Sequence, residues 1–407
     1  MKVLVYEHVS GGGYTRQPIP LNILAEGFGM LRGIITDFKK GGHKITVLLD
    51  ARISKLNPPI DADFTVPITY PQEPKKFITN ISKSIDAIYI IAPETGQILQ
   101  SFVELAEKSG KFSLNCESSA IAKVADKAEL YKTLAKDGFQ TPKTIILSRK
   151  DSANKVKELI KGKIKFPIVI KPVDGIGCGG LSNVKEETLI GKAIAKVKAE
   201  SASKHFIAQE YVQGKSTSVS LLSNGKKAFA LSLNQQNVTL SEPSGVSSYD
   251  GGVVPFDHFR KHQAFNLAQK VVESIHGLRG YVGVDLVFDE KRIIVVDVNP
   301  RLTTSFVGLR EVASFNVAQV IINSVLKNEF PANNEIKGFS YFSKIETLLP
   351  SITAFQKTII SDKVISPPFP LNETNKTYSL LLGKGKSLKN AYLQLEEAKK
   401  SLFNIIS

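Results

Sequence analysis

The sequence predicts an open parallel α/β domain followed by a two-lobed α+β region and a C-terminal extension. Three observations predict this. Short apolar strands alternate with amphipathic helices over residues 1–120; from 121 the strands gather in consecutive pairs around a glycine-rich loop; and one late pair carries facing acids. With 407 residues, 42% of them hydrophobic and 22% charged, the chain is long enough for more than one core.

KVLVYEHV is β-rich and ends at SGGGY. LNILAEGFGMLRGIITDF then repeats apolar residues at helical spacing, stops at Gly41-Gly42 and yields to KITVLLD. Two further helices, EPKKFITNISKSI and GQILQSFVELAEKSG, precede the strands AIYIIAP and FSLNC. A parallel sheet of this kind takes ligands at its strand ends, here near Glu7, Ser10 to Gly13 and Glu94. The dinucleotide fingerprint fails on spacing, because Arg16 stands at the third-glycine position and an acidic strand end comes only at Asp50. The glycines suit either a tight turn or a loop whose N–H groups bind a carboxylate, and both readings stay open.

From 121, AIAKVADKAELYKTLAKDG reads as helical, and TPKTIIL and FPIVIKP read as strands. KPVDGIGCGG, Lys171 to Gly180, follows as a lysine-tipped strand running into a flexible loop. After it come a lysine-rich helix, the strand HFIAQEYV, and the pair STSVSLLS and KAFALSL around the hairpin signal Asn224-Gly225. The helix HFRKHQAFNLAQKVVESIHG leads to GYVGVDLVFD and IIVVDVN. The segment 331–407 reads as a separate tail, with SPPFP, strand-like YSLLLG and a closing helix.

In GYVGVDLVFDEKRIIVVDVNPR, a three-residue loop Glu290-Lys291-Arg292 pairs Asp289 with Ile293 and sets Asp285 opposite Asp297. Val284, Leu286 and Phe288 then face Val298, Val296 and Ile294, so one face is apolar and the other carries Asp285, Asp297, Asn299 and Arg301. Facing carboxylates repel unless a positive charge sits between them, and oxygen ligands suit Mg²⁺ or Mn²⁺. The bland alternative is a solvated sheet face neutralised by Arg301. Mg²⁺ shares its coordination with phosphates, so a metal here points to a nucleotide.

Composition sets limits. The 53 basic against 38 acidic residues give a net charge of +15, but the lysines are scattered along helices, which disfavours nucleic acid. The two cysteines, Cys116 and Cys178, form no paired motif. No apolar run approaches the roughly 20 residues of a membrane span, and a cytoplasmic location is expected. His258 and His262 lie four apart without a third ligand and read as a solvated helix face.

A lysine-tipped strand, a glycine loop and an Asp/Asp/Asn hairpin, in that order and without a Walker motif, resemble the ATP-grasp superfamily. The resemblance covers about 121 to 330, with lobes at about 121–205 and 206–330, and residues 1–120 resemble the pre-ATP-grasp domain. It implies ATP and Mg²⁺ or Mn²⁺, two ions, as cofactors. Lys127 and Lys171 take the phosphate-contacting positions, and Asp174, Gly175, Gly177, Gly179 and Gly180 take the lid. Gln209, Glu210, Tyr211 and Val212 take the adenine hinge. Asp285, Asp297 and Asn299 take the metal positions, with Asp297 bridging, and Lys171 and Arg301 the catalytic ones. QGKSTS offers Lys215 and Ser218 where many members hold the ribose with an acid. Gly283 stands where D-alanine ligases have an arginine. Within the superfamily, YEHVSGGGY, SLNQQNV, YDGGVVP and NPRLTTS resemble the archaeal tyramine-glutamate ligase family of methanofuran biosynthesis.

The resemblance implies a cytoplasmic ligase that joins a carboxylate, glutamate in that family, to an amine through an acyl-phosphate, releasing ADP and phosphate. Its partners are small molecules, with neither nucleic acid nor membrane, and a homo-oligomer is compatible with it. The competing classes are a non-catalytic Mg-ATP-binding regulator and an RNA-binding protein. Retention of both lysines, the metal set and Arg301 argues against the first, and the missing basic patch against the second.

Overall fold

The computed structural model describes residues 1–175, 177–371 and 375–406. The first sheet is wholly parallel, in the order β3-β2-β1-β4-β5. Its strands are β1 (Lys2–Glu7), β2 (Lys44–Asp50), β3 (Phe64–Ile68), β4 (Ala87–Ile91) and β5 (Phe112–Ser113). Burial on both faces explains the near-continuous apolar runs of β1 and β4. The strand order reverses between β1 and β4, so Glu7 and the segment leading to Glu94 open onto the crevice where such sheets bind ligands. Gly11 N–H donates to Glu7 O at 2.8 Å and Gly13 N–H to His8 O at 2.9 Å. With those donors engaged by the chain itself, the tight-turn reading of SGGGY is the one that is built.

A second sheet, β6 (Thr144–Ser148), β7 (Ile168–Pro172), β8 (Ser182–Val184) and β9 (His205–Glu210), is antiparallel in the order β6-β9-β7-β8. It has its own core, where Ile168, Ile170 and Phe206 meet Val156 and Ile194 of the flanking helices. The third sheet holds β10 (Lys215–Asn224), β11 (Ala228–Thr239), β12 (Ser248–Val254), β13 (Arg279–Phe288), β14 (Ile293–Asn299), β15 (Phe339–Leu348), β16 (Val364–Ser366) and β17 (Lys376–Gly385). Their order is β14-β13-β10-β11-β12-β15-β17-β16.

Three details differ from the sequence reading. The segment after 331 is no separate tail, because β15 pairs with β12 and extends the same sheet through β17 and β16. Phe342 and Leu382 need that arrangement, since they bury in the core shared with Val3 and Val5. The acidic hairpin closes on two residues rather than three: Asp289 N–H donates to Arg292 O at 3.1 Å, and the Asp289 carboxylate accepts from Lys291 N–H at 2.7 Å. A bulge between Asp285 and Leu286 absorbs the extra residue, so Leu286 faces Val295 and Phe288 faces Ile293, while Asp285 still faces Asp297. Finally, the helix Lys261–Ser274 begins after His258, which stacks on Phe259 and shares no helix face with His262. Among the described residues no helix is long and apolar enough to cross a membrane.

Candidate active site

A cleft of about 540 Å³ runs between the second and third sheets and reaches the ends of β1 and β4. Its floor takes one residue from each of six neighbouring strands: Asp297, Asp285, Ser218, Gln236, Tyr249 and Lys344. Lys127, Lys171, Asn299 and Arg301 line the same cleft.

The register that unites the acids also strains them electrostatically. Burial pushes the Asp285 carboxyl up to about 6 and the facing charge of Asp297 adds to it, while hydrogen bonds from Asn299 Nδ2 at 3.0 Å and Gln236 Nε2 at 2.9 Å pull the other way. Lys127 begins the helix Lys127–Lys136, where Asp126 caps the first N–H groups, and its Nζ lies 2.7 Å from Asp297 Oδ2. Burial works against the Lys127 ammonium, yet the charge and hydrogen bond of Asp297 hold its pKa above the ordinary lysine range.

Lys171, on β7, is buried and donates to Tyr131 Oη at 3.1 Å. Burial pulls its ammonium down to about 8, with Asp297 pulling back and Lys127 adding to the fall. Tyr131 in turn donates to Val296 O, the carbonyl beside the bulge. Arg301 Nε donates to both Glu94 oxygens at 2.9 and 3.0 Å. The strand end after β4 thus grips the arginine that follows β14.

Facing acids whose charge one lysine only partly offsets fit a divalent cation. Among the described residues no cluster of three His, Cys, Asp or Glu could hold a metal. A cation held there by two carboxylates and an amide would take its remaining ligands from water and phosphate, as Mg²⁺ prefers.

Gln209, Glu210, Tyr211 and Val212 all line the cleft where β9 passes to β10. Gln209 Nε2 donates to Thr144 Oγ1 at 2.8 Å, and Glu210 N–H to Lys143 O at 2.9 Å. Gly175, Gly177, Cys178 and Gly179 line the opposite wall. Asp174 is turned aside, accepting from Ser201 Oγ at 2.6 Å, and Gly180 packs on Pro172 so closely that a Cβ would come within 2.8 Å of Cγ. Ile176 of this loop lies outside the described residues. Lys215 sits over the Phe256 ring, 5.1 Å from its centroid, leaving Ser218 on the floor.

Comparisons with known proteins agree with this geometry. An ATP-grasp domain model matches residues 124–305 and a pre ATP-grasp domain model residues 43–121. The tyramine–L-glutamate ligase of Methanocaldococcus fervens is 34% identical over 259 residues, 64% of this chain and 72% of that protein. That of Methanocaldococcus jannaschii is 30% identical over 342 residues, 82% of this chain and 90% of that one. The chain belongs to the ATP-grasp superfamily. A crystal structure of an ATP-grasp superfamily protein from Archaeoglobus fulgidus shares the fold, at 24% identity and a TM-score of 0.62 over 94% of this chain and 99% of that one. As an ATP-grasp enzyme, the protein is an ATP-dependent ligase that forms an amide bond.

The ATP-grasp cleft also contains residues that the sequence alone did not single out for it. Gln236 steadies Asp285 there, while the buried Tyr131 outside the lining accepts from Lys171. Glu26 and Lys344 form an ion pair on the cleft wall, and Thr304 Oγ1 donates to Glu26 at 2.7 Å. A signal for both charges exists in hindsight. Glu26 interrupts the apolar stripe LNILAEGFGML, and Lys344 interrupts the strand YFSKIETLL.

Proposed function

We propose that the protein joins a carboxyl group of glutamate to a primary amine, following its relatives, whose name gives tyramine as the amine. The observation that carries this reading is Asp285 facing Asp297 in one cleft with Lys127, Lys171 and Arg301. Gln209 to Val212 hold the adenine, and Gly175, Gly177 and Gly179 cover the phosphates, with Lys127 and Lys171 beside them. Asp285, Asp297 and Asn299 hold Mg²⁺, as one or two ions. When bound, the metal offsets phosphate charge.

A substrate carboxylate oxygen attacks the γ-phosphorus and the bond to ADP breaks, giving an acyl-phosphate. The amine nitrogen then attacks the acyl carbon, phosphate leaves with the bridging oxygen, and the nitrogen loses a proton. Lys171 and Arg301 steady the charge on the transferred group and the acyl-phosphate. The buried Glu94 holds Arg301 in place for this. The absence of any required side-chain nucleophile fits a site built from cations and N–H donors.

The test is a coupled assay for ADP release with Mg²⁺ that scans amino acids against amines. Release that needs both glutamate and an amine supports the reading. ATP binding without turnover for any pair would favour a nucleotide-sensing regulator instead. A cytoplasmic location fits the same reading.

A further inference from the structure

The ion pair between Glu26 and Lys344 joins the helix Leu21–Lys40 to β15, 318 positions apart in sequence. Both side chains line the cleft, only 17% and 13% exposed. Holding a helix to a strand does not require this pair, since two apolar side chains would do it without desolvating two charges. What the pair adds is one anion and one cation side by side on the wall of a ligand cavity, with the Thr304 hydroxyl on Glu26.

The pair also shares its cleft with the residues proposed to hold the reacting phosphates. Cys178 of the glycine loop lines the same cleft as Glu26 and Lys344 and as Asp285 and Lys171. Thr304 follows Arg301 by three residues, so the end of β14 leads from the acids to this pair. A ligand bridging the two places needs a carboxylate at one end, and both a positive and a negative group at the other. An α-amino acid with an acidic side chain has that pattern.

We propose that Glu26 and Lys344 form the subsite for the main-chain zwitterion of an α-amino acid substrate. On entry the pair opens, Glu26 accepts from the substrate ammonium, and Lys344 donates to the main-chain carboxylate. Each protein charge exchanges one partner for another, so neither is left buried and unpaired. The carboxylate that remains free is the one presented to the phosphoryl group. This rests on the ligase reading above and adds which residues select the acid.

The experiment compares L-glutamate, glutarate and 4-aminobutyrate in the ADP-release assay, in the wild type and in Glu26→Gln and Lys344→Gln. The wild type should favour glutamate over either analogue by about hundredfold in kcat/KM. Glu26→Gln should raise the KM for glutamate about tenfold or more and narrow its lead over glutarate, with the KM for ATP unchanged. Lys344→Gln should narrow the lead over 4-aminobutyrate instead. The charge swap Glu26→Lys with Lys344→Glu should keep the wild-type melting temperature yet lose glutamate selectivity, which separates binding from a merely structural role.

An unchanged lead over the analogues, or a KM rise confined to ATP or the amine, would overturn the proposal. If another α-amino acid is the substrate, the same comparison with its des-amino analogue applies, and only the identity of the acid changes. Turnover of acids lacking an α-amino group as efficient as that of their amino acid counterparts would sink the subsite and leave the ligase standing. If no acid supports ADP release, the ligase reading itself fails. Calorimetry then decides the subsite, which survives only if L-glutamate binds the wild type and not Glu26→Gln.

Discussion

Lys127 Nζ lies 2.7 Å from Asp297 Oδ2, so the cleft pairs a lysine proposed for phosphate with an acid proposed for metal. The pair keeps two facing carboxylates from meeting without a positive charge between them. Nucleotide and cation would replace it together, the cation taking Asp297 and the phosphates taking Lys127. Mg²⁺ and ATP should therefore each raise the affinity for the other by the same factor.

Asp297→Asn tests the metal half of that exchange. The side chain is partly exposed in the cleft and its amide is nearly the same size, so the fold and melting temperature should hold. Turnover should fall at least about hundredfold, because charge stabilisation at the transferring group is lost. Unchanged steady-state ADP release would remove Asp297 from the metal set.

Lys171 leads to a proton-linked prediction. Burial lowers its pKa to about 8, so a fraction of it is neutral at pH 8 and more above that. Phosphates beside it would favour the charged form, and ATP binding near pH 8 to 9 should take up a proton. Calorimetry in buffers of different ionisation heat measures that uptake. It should vanish in Lys171→Ala, which should also weaken ATP binding about tenfold or more. Equal affinity in the two proteins would count against the cradle.

Much of this site was legible in the sequence because it depends on local chemistry. Alternation of strand and helix gave the parallel sheet, and the agreement of an apolar with an acidic face placed Asp285 opposite Asp297, a pairing that the bulge preserves across the shorter loop. The loop itself is not legible in this way, since a bulge beside Asp285 is a tertiary choice tied to Tyr131 and Val296, which no pairing pattern encodes. The segment after 331 was misread for a similar reason. β15 looks like any isolated strand until β12, far away in the chain, offers it an edge. Glu26 and Lys344 were missed because a pair 318 positions apart leaves no spacing to read.

Cys178 lines the cleft, yet the proposed chemistry gives it no role. Burial pushes its thiol up to about 11, and Glu26 adds to that while Lys344 opposes it, so almost none is thiolate at neutral pH. Cys178→Ser should retain wild-type turnover, and alkylation of the native protein at pH 7 should be slow. Loss of turnover in the serine variant would instead assign the thiol a role in the reaction.

His8 makes stability in acid a measurable property of the first domain. It follows β1, its Nδ1 lies 3.1 Å from Tyr6 Oη, and it is enclosed by Tyr14 and Phe102. Burial lowers its pKa to about 4, with the charge of Lys75 acting in the same direction. An unfolded histidine titrates near 6.5, so the unfolded chain takes up this proton first as the pH falls. Stability from the buried neutral ring is therefore complete above about 6.5 and is lost as the pH drops toward 4, by about 3 kcal/mol in all. His8→Gln should cost some stability at pH 7 through altered packing, but it should lose less than the wild type between pH 7 and 4.5 in denaturant unfolding. Comparing the two proteins cancels the other groups that titrate in that range, so parallel pH profiles would mean that His8 titrates in the folded protein as it does in the unfolded chain.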